Sequence, residues 1–374
     1  MRKGMKVQDT LAELVAIDSV SSRSNSEIID FLQHRCERIG FATKRFPYND
    51  GNEKINLIAL KGGDRSAELA LVGHTDTVPY DPNWTEATTL TEQEGKLFGR
   101  GSCDTKGFIA AALTAVESLD LERLRRPLAL IFTADEEIGL LGAKYLAELR
   151  PVEIRYSIVG EPTSLQPIRA GKGYALAEIL VRGREAHSAY PALGSSAVFR
   201  AARLVSRLEA IAQQLRAETH HGFDPPFTTL NVGVINGGTA KNVIAGECRF
   251  TLEWRPIPTQ NPTLVLDLLR AGIEEERRLD PEFDCEIGFS RKDSGFETSR
   301  DSTLVTFLES VTEKTAGSVA FGTEGAQMTR FGSESVVLGP GDIRQAHRTG
   351  EFVPIDELGR CVEILRKAIE HFCY

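Results

Sequence analysis

The fold of this chain is decided by the stretch Leu69-Ala-Leu-Val-Gly-His74-Thr-Asp76-Thr-Val-Pro79, an apolar run that ends in a histidine and then a carboxylate. The apolar run predicts a buried β-strand. A buried strand gains nothing from these two side chains, whereas an imidazole binds zinc through one nitrogen and needs an acceptor for its other N–H. A single H-x-D pattern is only a hypothesis, so its value depends on whether the pattern recurs.

The same arrangement, an apolar run followed by side chains that can bind a metal, recurs along the chain. The further runs are Leu128–Ala134 before three carboxylates, Tyr156–Gly160 before Glu161, and Ser335–Gly339 before a loop that carries His347. The glycine-rich loop Gly99–Gly107 adds one more acid, Asp104. In open α/β sheets, binding sites form at the carboxyl ends of the strands. Any one of these acids alone would indicate a solvated turn or a helix N-cap, but together they predict one site.

The bulk composition is typical of a globular protein with two domains. The chain has 374 residues, of which 41% are hydrophobic and 26% are charged. It is longer than a typical single domain, so two domains are expected. The 44 basic and 53 acidic residues give a net charge of −9, which argues against a nucleic-acid partner. The start of the chain has no apolar leader and no run approaches a membrane span, so we expect a cytoplasmic protein. The six cysteines form no C-x-x-C pair, so neither a zinc ribbon nor a disulfide framework is indicated.

The order of predicted elements divides the chain into two domains. Up to residue 172, helices such as 26–39 alternate with strands, which predicts a mixed sheet covered by helices. Residues 173–293 instead follow the order βαββαβ, which is typical of a ferredoxin-like domain. The remainder, 294–374, completes the first domain with two helices around a strand at 335–339. The predicted fold class is therefore α/β, with a catalytic domain formed by 1–172 and 294–374 and an inserted domain at 173–293.

Five ordered motifs carry a resemblance to a known family: G-H-T-D-T-V-P, G-R-G-x-x-D-x-K-G, T-A-D-E-E-x-G, G-E-P-T and G-P-G-x-x-x-Q-A-H. They resemble the di-zinc amidohydrolase and metallopeptidase family of acetylornithine deacetylase, succinyl-diaminopimelate desuccinylase, the glutamate carboxypeptidases and the aminoacylases. The resemblance covers nearly the whole chain and is strongest to the acetylornithine deacetylases, through Gly237–Asn242, Thr323-Glu324 and Gln345–His347. It implies a zinc-exopeptidase-like catalytic domain and an inserted domain that acts as lid and dimerisation domain. One departure is Thr105, which stands where the family commonly has methionine.

The resemblance implies a ligand set for two divalent metal ions, which are zinc in the family, with cobalt able to substitute. His74 and Glu161 would hold one ion, Glu137 and His347 would hold the other, and Asp104 would bridge both. This set of two imidazoles and three carboxylates supplies the nitrogen and oxygen ligands that zinc takes.

The resemblance also implies roles for residues that are not ligands. Asp76 would orient His74. Glu136, a spare carboxylate beside a ligand, would be the general base that accepts a proton from the attacking water. His187, in the inserted domain, would stabilise the oxyanion from the partner subunit of a homodimer.

Substrate binding is expected to involve three further residues. Asn242 and Arg255 are similar to family residues that bind the substrate carboxylate, although a surface ion pair is an equal alternative for Arg255. Glu324 is expected to bind a cationic side chain of the substrate.

The function implied by the resemblance is hydrolysis of the amide bond of an N-acyl amino acid. The expected substrate is N2-acetyl-L-ornithine, cleaved to L-ornithine and acetate in arginine biosynthesis. Alternatives with the same chemistry are deacetylation of acetylcitrulline or acetyl-lysine, desuccinylation of succinyl-diaminopimelate, and hydrolysis of glutamate tails or dipeptides. A non-catalytic metal-binding protein is an alternative of a different class, but it would have no use for Glu136. The expected partners are this small molecule and a second copy of the chain, without nucleic acid or membrane.

Overall fold

The computed structural model describes residues 6–49 and 53–374 and contains two compact units. Unit 1 comprises Met1–Arg169, Glu297–Gly317 and Thr323–Tyr374, and unit 2 comprises Ala170–Phe296 and Ser318–Gly322. The first five residues, on which part of the expectation about a leader rests, lie outside the described residues. Within the described ranges, none of the helices combines the length and apolar character that a membrane span requires.

The secondary structure alternates between helices and strands over most of the chain. The described α-helices are α1 (Val7–Ala16), α2 (Ser26–Arg38), α3 (Lys106–Glu117), α4 (Leu141–Leu149), α5 (Ala197–Gln214), α6 (Leu264–Leu279), α7 (Thr303–Thr312), α8 (Gly325–Phe331) and α9 (Ile355–Cys373). The strands of the first half are β1 (Ala42–Asn49), β2 (Glu53–Lys61), β3 (Ser66–His74), β4 (Thr91–Gln93), β5 (Lys96–Phe98), β6 (Leu128–Thr133), β7 (Glu153–Val159) and β8 (Ile168–Gly171). Those of the second half are β9 (Tyr174–Arg182), β10 (Thr229–Gly237), β11 (Glu247–Arg255), β12 (Asp284–Asp293), β13 (Phe296–Glu297), β14 (Gly317–Val319), β15 (Glu334–Val337) and β16 (Phe352–Pro354).

A mixed sheet has the strand order β1-β2-β6-β3-β7-β15-β8-β13, with β14 beside β8. Strands β1, β2 and β6 pair antiparallel, whereas β6, β3, β7 and β15 are parallel neighbours. In this register His74 lies opposite Thr133, and Val72 lies opposite Val159. The four parallel strands therefore end at one edge of the sheet, and they are the four strands whose ends carry the predicted ligands. The predicted mixed α/β fold is confirmed.

The parallel strands are apolar because both of their faces are covered. All six residues of β6 are buried, and so is β3 from Leu69 to His74. One hydrophobic core joins these strands to α1, α2, α3 and α9. Strands buried on both faces appear in the sequence as uninterrupted apolar runs, which is why the segment beginning at Leu69 indicated the fold.

Several short elements of unit 1 were not predicted from the sequence. They include the small antiparallel sheet of β16, β5 and β4, whose strands have three residues each. The prediction of two helices around the 335–339 strand was wrong. The described residues of this region contain three helices, α7, α8 and α9. Helix α8 has only seven residues, which is too short for a helical period to show in the sequence.

Unit 2 contains the order β9-α5-β10-β11-α6-β12, which matches the βαββαβ pattern expected for the inserted domain. Its antiparallel sheet has the strand order β10-β11-β9-β12. Every second side chain of β9, from Ala175 to Val181, is buried in a core shared with α5 and α6. One face of this sheet is therefore covered by helices, and β10 and β12 are its edge strands.

Candidate metal centre

The site lies in unit 1, at the carboxyl ends of the parallel strands. His74 is the last residue of β3, the acids Asp135, Glu136 and Glu137 follow β6, and Glu161 follows β7. These positions follow from the topology, because parallel neighbours bring the residues after each strand to the same edge.

His74 is buried and held by contacts on both of its ring nitrogens. Nδ1 lies 3.0 Å from the backbone oxygen of Asp76, and Nε2 lies 2.9 Å from Oδ1 of Asp104. The Asp76 carboxylate is farther from the ring, with Oδ1 at 3.7 Å from Nδ1. Since the backbone oxygen can only accept, Nδ1 carries a proton and Nε2 is the nitrogen that faces Asp104.

Asp104 lies between two histidines. Its Oδ1 faces His74, while its Oδ2 lies 3.3 Å from Nε2 of His347. The same nitrogen of His347 lies 3.0 Å from Oε2 of Glu137. Ligand atoms of His74, Asp104 and Glu137 all lie within 4.8 Å of one another. A carboxylate with each oxygen directed at a different imidazole has the arrangement that a bridging ligand needs.

Asp76 fixes the backbone that carries Glu136 and Glu137. Its Oδ1 accepts the N–H of Glu136 at 3.1 Å, and its Oδ2 accepts the N–H of Glu137 at 3.3 Å. The hydroxyl of Ser21 donates a third hydrogen bond to Oδ2 at 2.7 Å. The two adjacent acids are therefore anchored through their main chain, which leaves both of their carboxylates free to face the site.

The carboxylates of the site are held close together in a desolvated region. Desolvation raises the pKa of Glu136 well above its usual range, and Glu137 raises it further. Burial likewise raises the pKa of Glu161, with Asp104 as the next cause. Burial alone would also raise the pKa of Asp104, but hydrogen bonds from His347 and His74 hold it well below its usual range. Protons on the two imidazoles offset only part of this negative charge.

The donor set fits a divalent cation. Hydrogen bonds to Asp104 and Glu137 raise the pKa of His347 to about 10, so a proton holds together the groups that a metal would otherwise link. Metal ligands must lose such protons when an ion binds. Imidazole nitrogens with several convergent carboxylate oxygens are a set that zinc and similar ions accept.

Asp135, the first of the three consecutive acids, has a structural role that the sequence did not indicate. Its carboxylate is buried and accepts hydrogen bonds from Nζ of Lys54 at 2.5 Å and from the Tyr48 hydroxyl at 2.8 Å. Its φ of +55° places it in the left-handed region, where the chain turns out of β6. The ion pair therefore fixes the turn that precedes Glu136.

Thr105, which stands where the family commonly has methionine, makes a hydrogen bond that links two segments of the site. Its side chain is buried, and its hydroxyl donates to the backbone oxygen of Gly160 at 3.0 Å. This hydrogen bond links the residue after Asp104 to the residue before Glu161, and a methionine could not make it.

Glu324 is fully buried in unit 1. Among the described residues, neither of its carboxylate oxygens has a hydrogen-bond partner. Burial raises its pKa to about 7, and both the charge of His74 and the nearby Thr133 hydroxyl, which does not reach hydrogen-bonding geometry, oppose this rise. An ionised carboxylate in such a place is unfavourable unless a cation or a hydrogen-bond donor joins it.

The other expected site residues belong to unit 2. His187 is exposed and forms an isolated β-bridge with Val243, which brings it beside Asn242. Nε of Arg255 lies 2.5 Å from Oε1 of Glu253, and its guanidinium lies over the Tyr174 ring, 4.1 Å from the ring centroid. Arg255 therefore forms an ion pair, which was the alternative to a role in substrate binding.

Comparison with known proteins gives the family. The model of Peptidase family M20/M25/M40 matches residues 70–371. The acetylornithine deacetylase of Myxococcus xanthus is 54% identical over 369 residues, which cover 97% of each chain. The acetylornithine deacetylase of Proteus mirabilis is 35% identical and covers 96% of this chain and 93% of its own.

Solved structures show the same fold at low sequence identity. An M20-family metallo-carboxypeptidase from Sulfolobus solfataricus has a TM-score of 0.79 at 18% identity, covering 98% of this chain and 99% of its own. A tripeptidase from Staphylococcus aureus has a TM-score of 0.77 at 22% identity, covering 98% and 97%. With a family match over most of its length and a relative at 54% identity, this chain belongs to Peptidase family M20/M25/M40.

Proposed function

We propose that this protein is a metal-dependent deacylase that hydrolyses N2-acetyl-L-ornithine to L-ornithine and acetate. The proposal rests mainly on the position of Asp104, whose two carboxylate oxygens face two different imidazoles. Glu136, an acid that is not among the proposed ligands, directly precedes the proposed ligand Glu137. The substrate is supported by the relatives at 54% and 35% identity over nearly the full chain, which are acetylornithine deacetylases.

The metal ligands proposed for this site are the convergent imidazoles and carboxylates. Two zinc ions, for which cobalt could substitute, would be held by His74, Asp104, Glu137, Glu161 and His347. When bound, such ions polarise the scissile carbonyl and lower the pKa of an attacking water. The division of the ligands between the two ions, with Asp104 shared, stays a prediction.

Glu136 is the proposed general base. Its backbone is anchored by Asp76, and the residue as a whole is neither fully buried nor exposed. Its raised pKa suits a group that accepts a proton from the attacking water and then returns it to the leaving amine. Asp76 would assist by holding His74 and Glu136 in one arrangement.

His187 is the proposed oxyanion donor. Its Nδ1 accepts the backbone N–H of Ala189 at 3.1 Å. In the neutral imidazole the proton must then be on Nε2, which makes Nε2 a hydrogen-bond donor. Because this residue is exposed on unit 2, we propose that it serves the site of a second copy of the chain.

A homodimer through unit 2 is supported by an exposed sheet edge. Strand β10 is an edge strand on which Val234 is 55% exposed and Ile235 is 51% exposed. At the start of α5, which packs against β10, Phe199 is 72% exposed. An unpaired edge with apolar side chains is usually covered by another chain.

Three residues are proposed to bind the substrate. Asn242 and Arg255 are proposed for the α-carboxylate, and Glu324 is proposed for the side-chain ammonium. The unpartnered oxygens of Glu324 support this last assignment, because a cationic side chain would supply the missing partner. A role in arginine biosynthesis and a cytoplasmic location stay predictions.

The substrate is tested with a panel of N-acyl amino acids. We would compare kcat/KM for N2-acetyl-L-ornithine, acetylcitrulline, acetyl-lysine, succinyl-diaminopimelate and a dipeptide, each with zinc and with cobalt. We expect acetylornithine to give the highest value with either metal. A higher kcat/KM for the succinylated or dipeptide substrate would overturn the proposed substrate but not the hydrolase chemistry.

A further inference from the structure

Glu351 contacts the loop that carries Asp104 through both its carboxylate and its backbone oxygen. Its Oε1 accepts the backbone N–H of Cys103 at 2.9 Å and that of Asp104 at 3.0 Å. Its Oε2 lies 2.5 Å from Nη1 of Arg100, and its backbone oxygen accepts the N–H of Gly99 at 3.0 Å. Only 1% of Glu351 is exposed, so these contacts replace water completely.

The Glu351–Arg100 pair connects three segments that carry proposed ligands. Glu351 lies four residues after His347, and Arg100 lies four residues before Asp104. Nη2 of Arg100 also donates to the backbone oxygen of Pro79 at 3.3 Å, in the segment that begins with His74. One buried ion pair therefore links the segments of His74, Asp104 and His347.

We infer that Glu351, paired with Arg100, is the positioning residue that holds Asp104 where it can bind metal. It acts through the backbone and touches neither substrate nor metal. Without its carboxylate, the buried N–H groups of Cys103 and Asp104 would lose their acceptor, and the Arg100 guanidinium would lose its only carboxylate partner among the described residues. The loop would then have to move toward water, and Asp104 would move with it. This inference rests on the proposed metal site.

The test measures zinc binding to the full-length, metal-free protein by calorimetry. We would compare wild type with Glu351→Ala and Glu351→Gln. Alanine removes both carboxylate oxygens, and we expect zinc affinity to fall about 10- to 100-fold, the usual effect of losing a group that orients a ligand. Glutamine keeps one oxygen for the two N–H groups but places an amide against Arg100, so its affinity should lie between those of wild type and alanine. At saturating zinc we expect kcat to fall while KM for the substrate is unchanged.

Two further variants separate positioning from general stability. Arg100→Met breaks the same pair from the other side and carries the test if Glu351→Ala does not fold. Glu117→Gln is the matched control, because Glu117 accepts from Nε and Nη2 of the buried Arg35 at 2.9 and 2.7 Å. It lies at the far end of the 12-residue helix α3, roughly 18 Å along the helix from Asp104.

The outcomes distinguish this inference from the proposed function. Weaker zinc binding in the Glu351 and Arg100 variants, with wild-type binding in Glu117→Gln, supports it. Wild-type zinc affinity and stoichiometry in Glu351→Gln and Arg100→Met would overturn it, as would an equal loss in Glu117→Gln. If the wild-type protein bound no zinc at all, the proposed function and this inference would both be wrong.

Discussion

The carboxylate of Asp76 accepts the backbone N–H of Glu136 at 3.1 Å, so the proposed base is positioned through its main chain. This leaves the Glu136 side chain free for proton transfer. Glu136→Gln keeps the size of the side chain and the anchored backbone but removes the base. We expect kcat to fall at least ~10²-fold, the low end of what positioned acid–base catalysis contributes, with about two metals still bound.

The check on Glu136 combines kinetics with metal analysis of the same preparation. Asp135→Asn weakens the ion pair that fixes the turn but keeps the Glu136 carboxylate, so it measures how much of any loss comes from disturbance of the turn. Loss of metal from Glu136→Gln, with normal activity per remaining metal, would show that Glu136 is a ligand instead.

Asp104 and His347 should differ in their effect on metal content. Because the two oxygens of Asp104 face His74 and His347 separately, Asp104→Ala should lower occupancy at both metal positions. His347 is 52% exposed and stands at one end of the cluster, so His347→Ala should mainly empty one position. Metal analysis after dialysis measures both. Loss of a single metal in Asp104→Ala would contradict the bridge.

His187 should act across the dimer. A rigidly placed oxyanion donor contributes about 2.7–4 kcal/mol, so His187→Ala should lower kcat about 10²- to 10³-fold with both metals retained. Inactive Glu136→Ala and His187→Ala proteins are then unfolded together and refolded. A mixed dimer has one site with an intact Glu136 and an intact His187, so activity should return.

The parents refolded separately are the controls for the mixing experiment. If mixed dimers form, as shown by a size tag on one parent, and remain as inactive as the parents, His187 does not act in trans.

Glu324 should favour substrates with a cationic side chain. Charge-assisted contacts are worth roughly 1.5–3 kcal/mol, so Glu324→Gln should lower kcat/KM for acetylornithine about tenfold or more relative to acetylmethionine. Acetylmethionine is the control substrate, because its side chain carries no charge. If kcat/KM fell equally for both substrates, Glu324 would have no role in substrate specificity.

The metal-free protein should lose stability as the pH rises from about 5 to about 8. Burial raises the pKa of Glu324 from 4.5 to about 7, and Asp104 and Glu137 raise that of His347 from 6.5 to about 10. A group whose pKa is higher in the folded state binds more protons there, so its contribution declines as pH rises from the unfolded to the folded pKa. The predicted decline ends near pH 8 because burial lowers the pKa of Lys106 to about 8. Above that pH the unfolded state binds more protons at Lys106 than the folded state does, so this residue makes stability rise with pH.

Urea unfolding of the metal-free and zinc-loaded proteins measures this dependence. The decline should be smaller with zinc, because a cation replaces the protons of the site. A free energy of unfolding that rises with pH across this window in the metal-free protein would contradict the account.

The sequence predicted those parts of the site that have a local signal. His74 and Glu161 could be proposed as ligands because parallel strands buried inside the sheet appear as apolar runs, and these two residues stand where such runs end. Asp104 could be proposed because it is the acid of a glycine-rich loop that lies between two of these strands in the sequence.

The supporting contacts had no such signal. The Lys54–Asp135 pair joins residues 81 positions apart, and the hydrogen bond from Asp104 to Glu351 spans 247 positions. The fold brings these distant residues together, and no local sequence pattern around either residue predicts its partner. Helix α8 was missed for a different reason, since seven residues do not establish a period.

The central claim, metal-dependent hydrolysis of N2-acetyl-L-ornithine, is tested most directly by measuring acetate release before metal removal, after it, and after zinc is restored. We predict that activity disappears when the measured metal content reaches zero and returns with zinc in the wild type but not in Glu136→Gln. Acetate release that persists in protein shown to contain no metal, or its absence in the zinc-loaded wild type, would contradict the account.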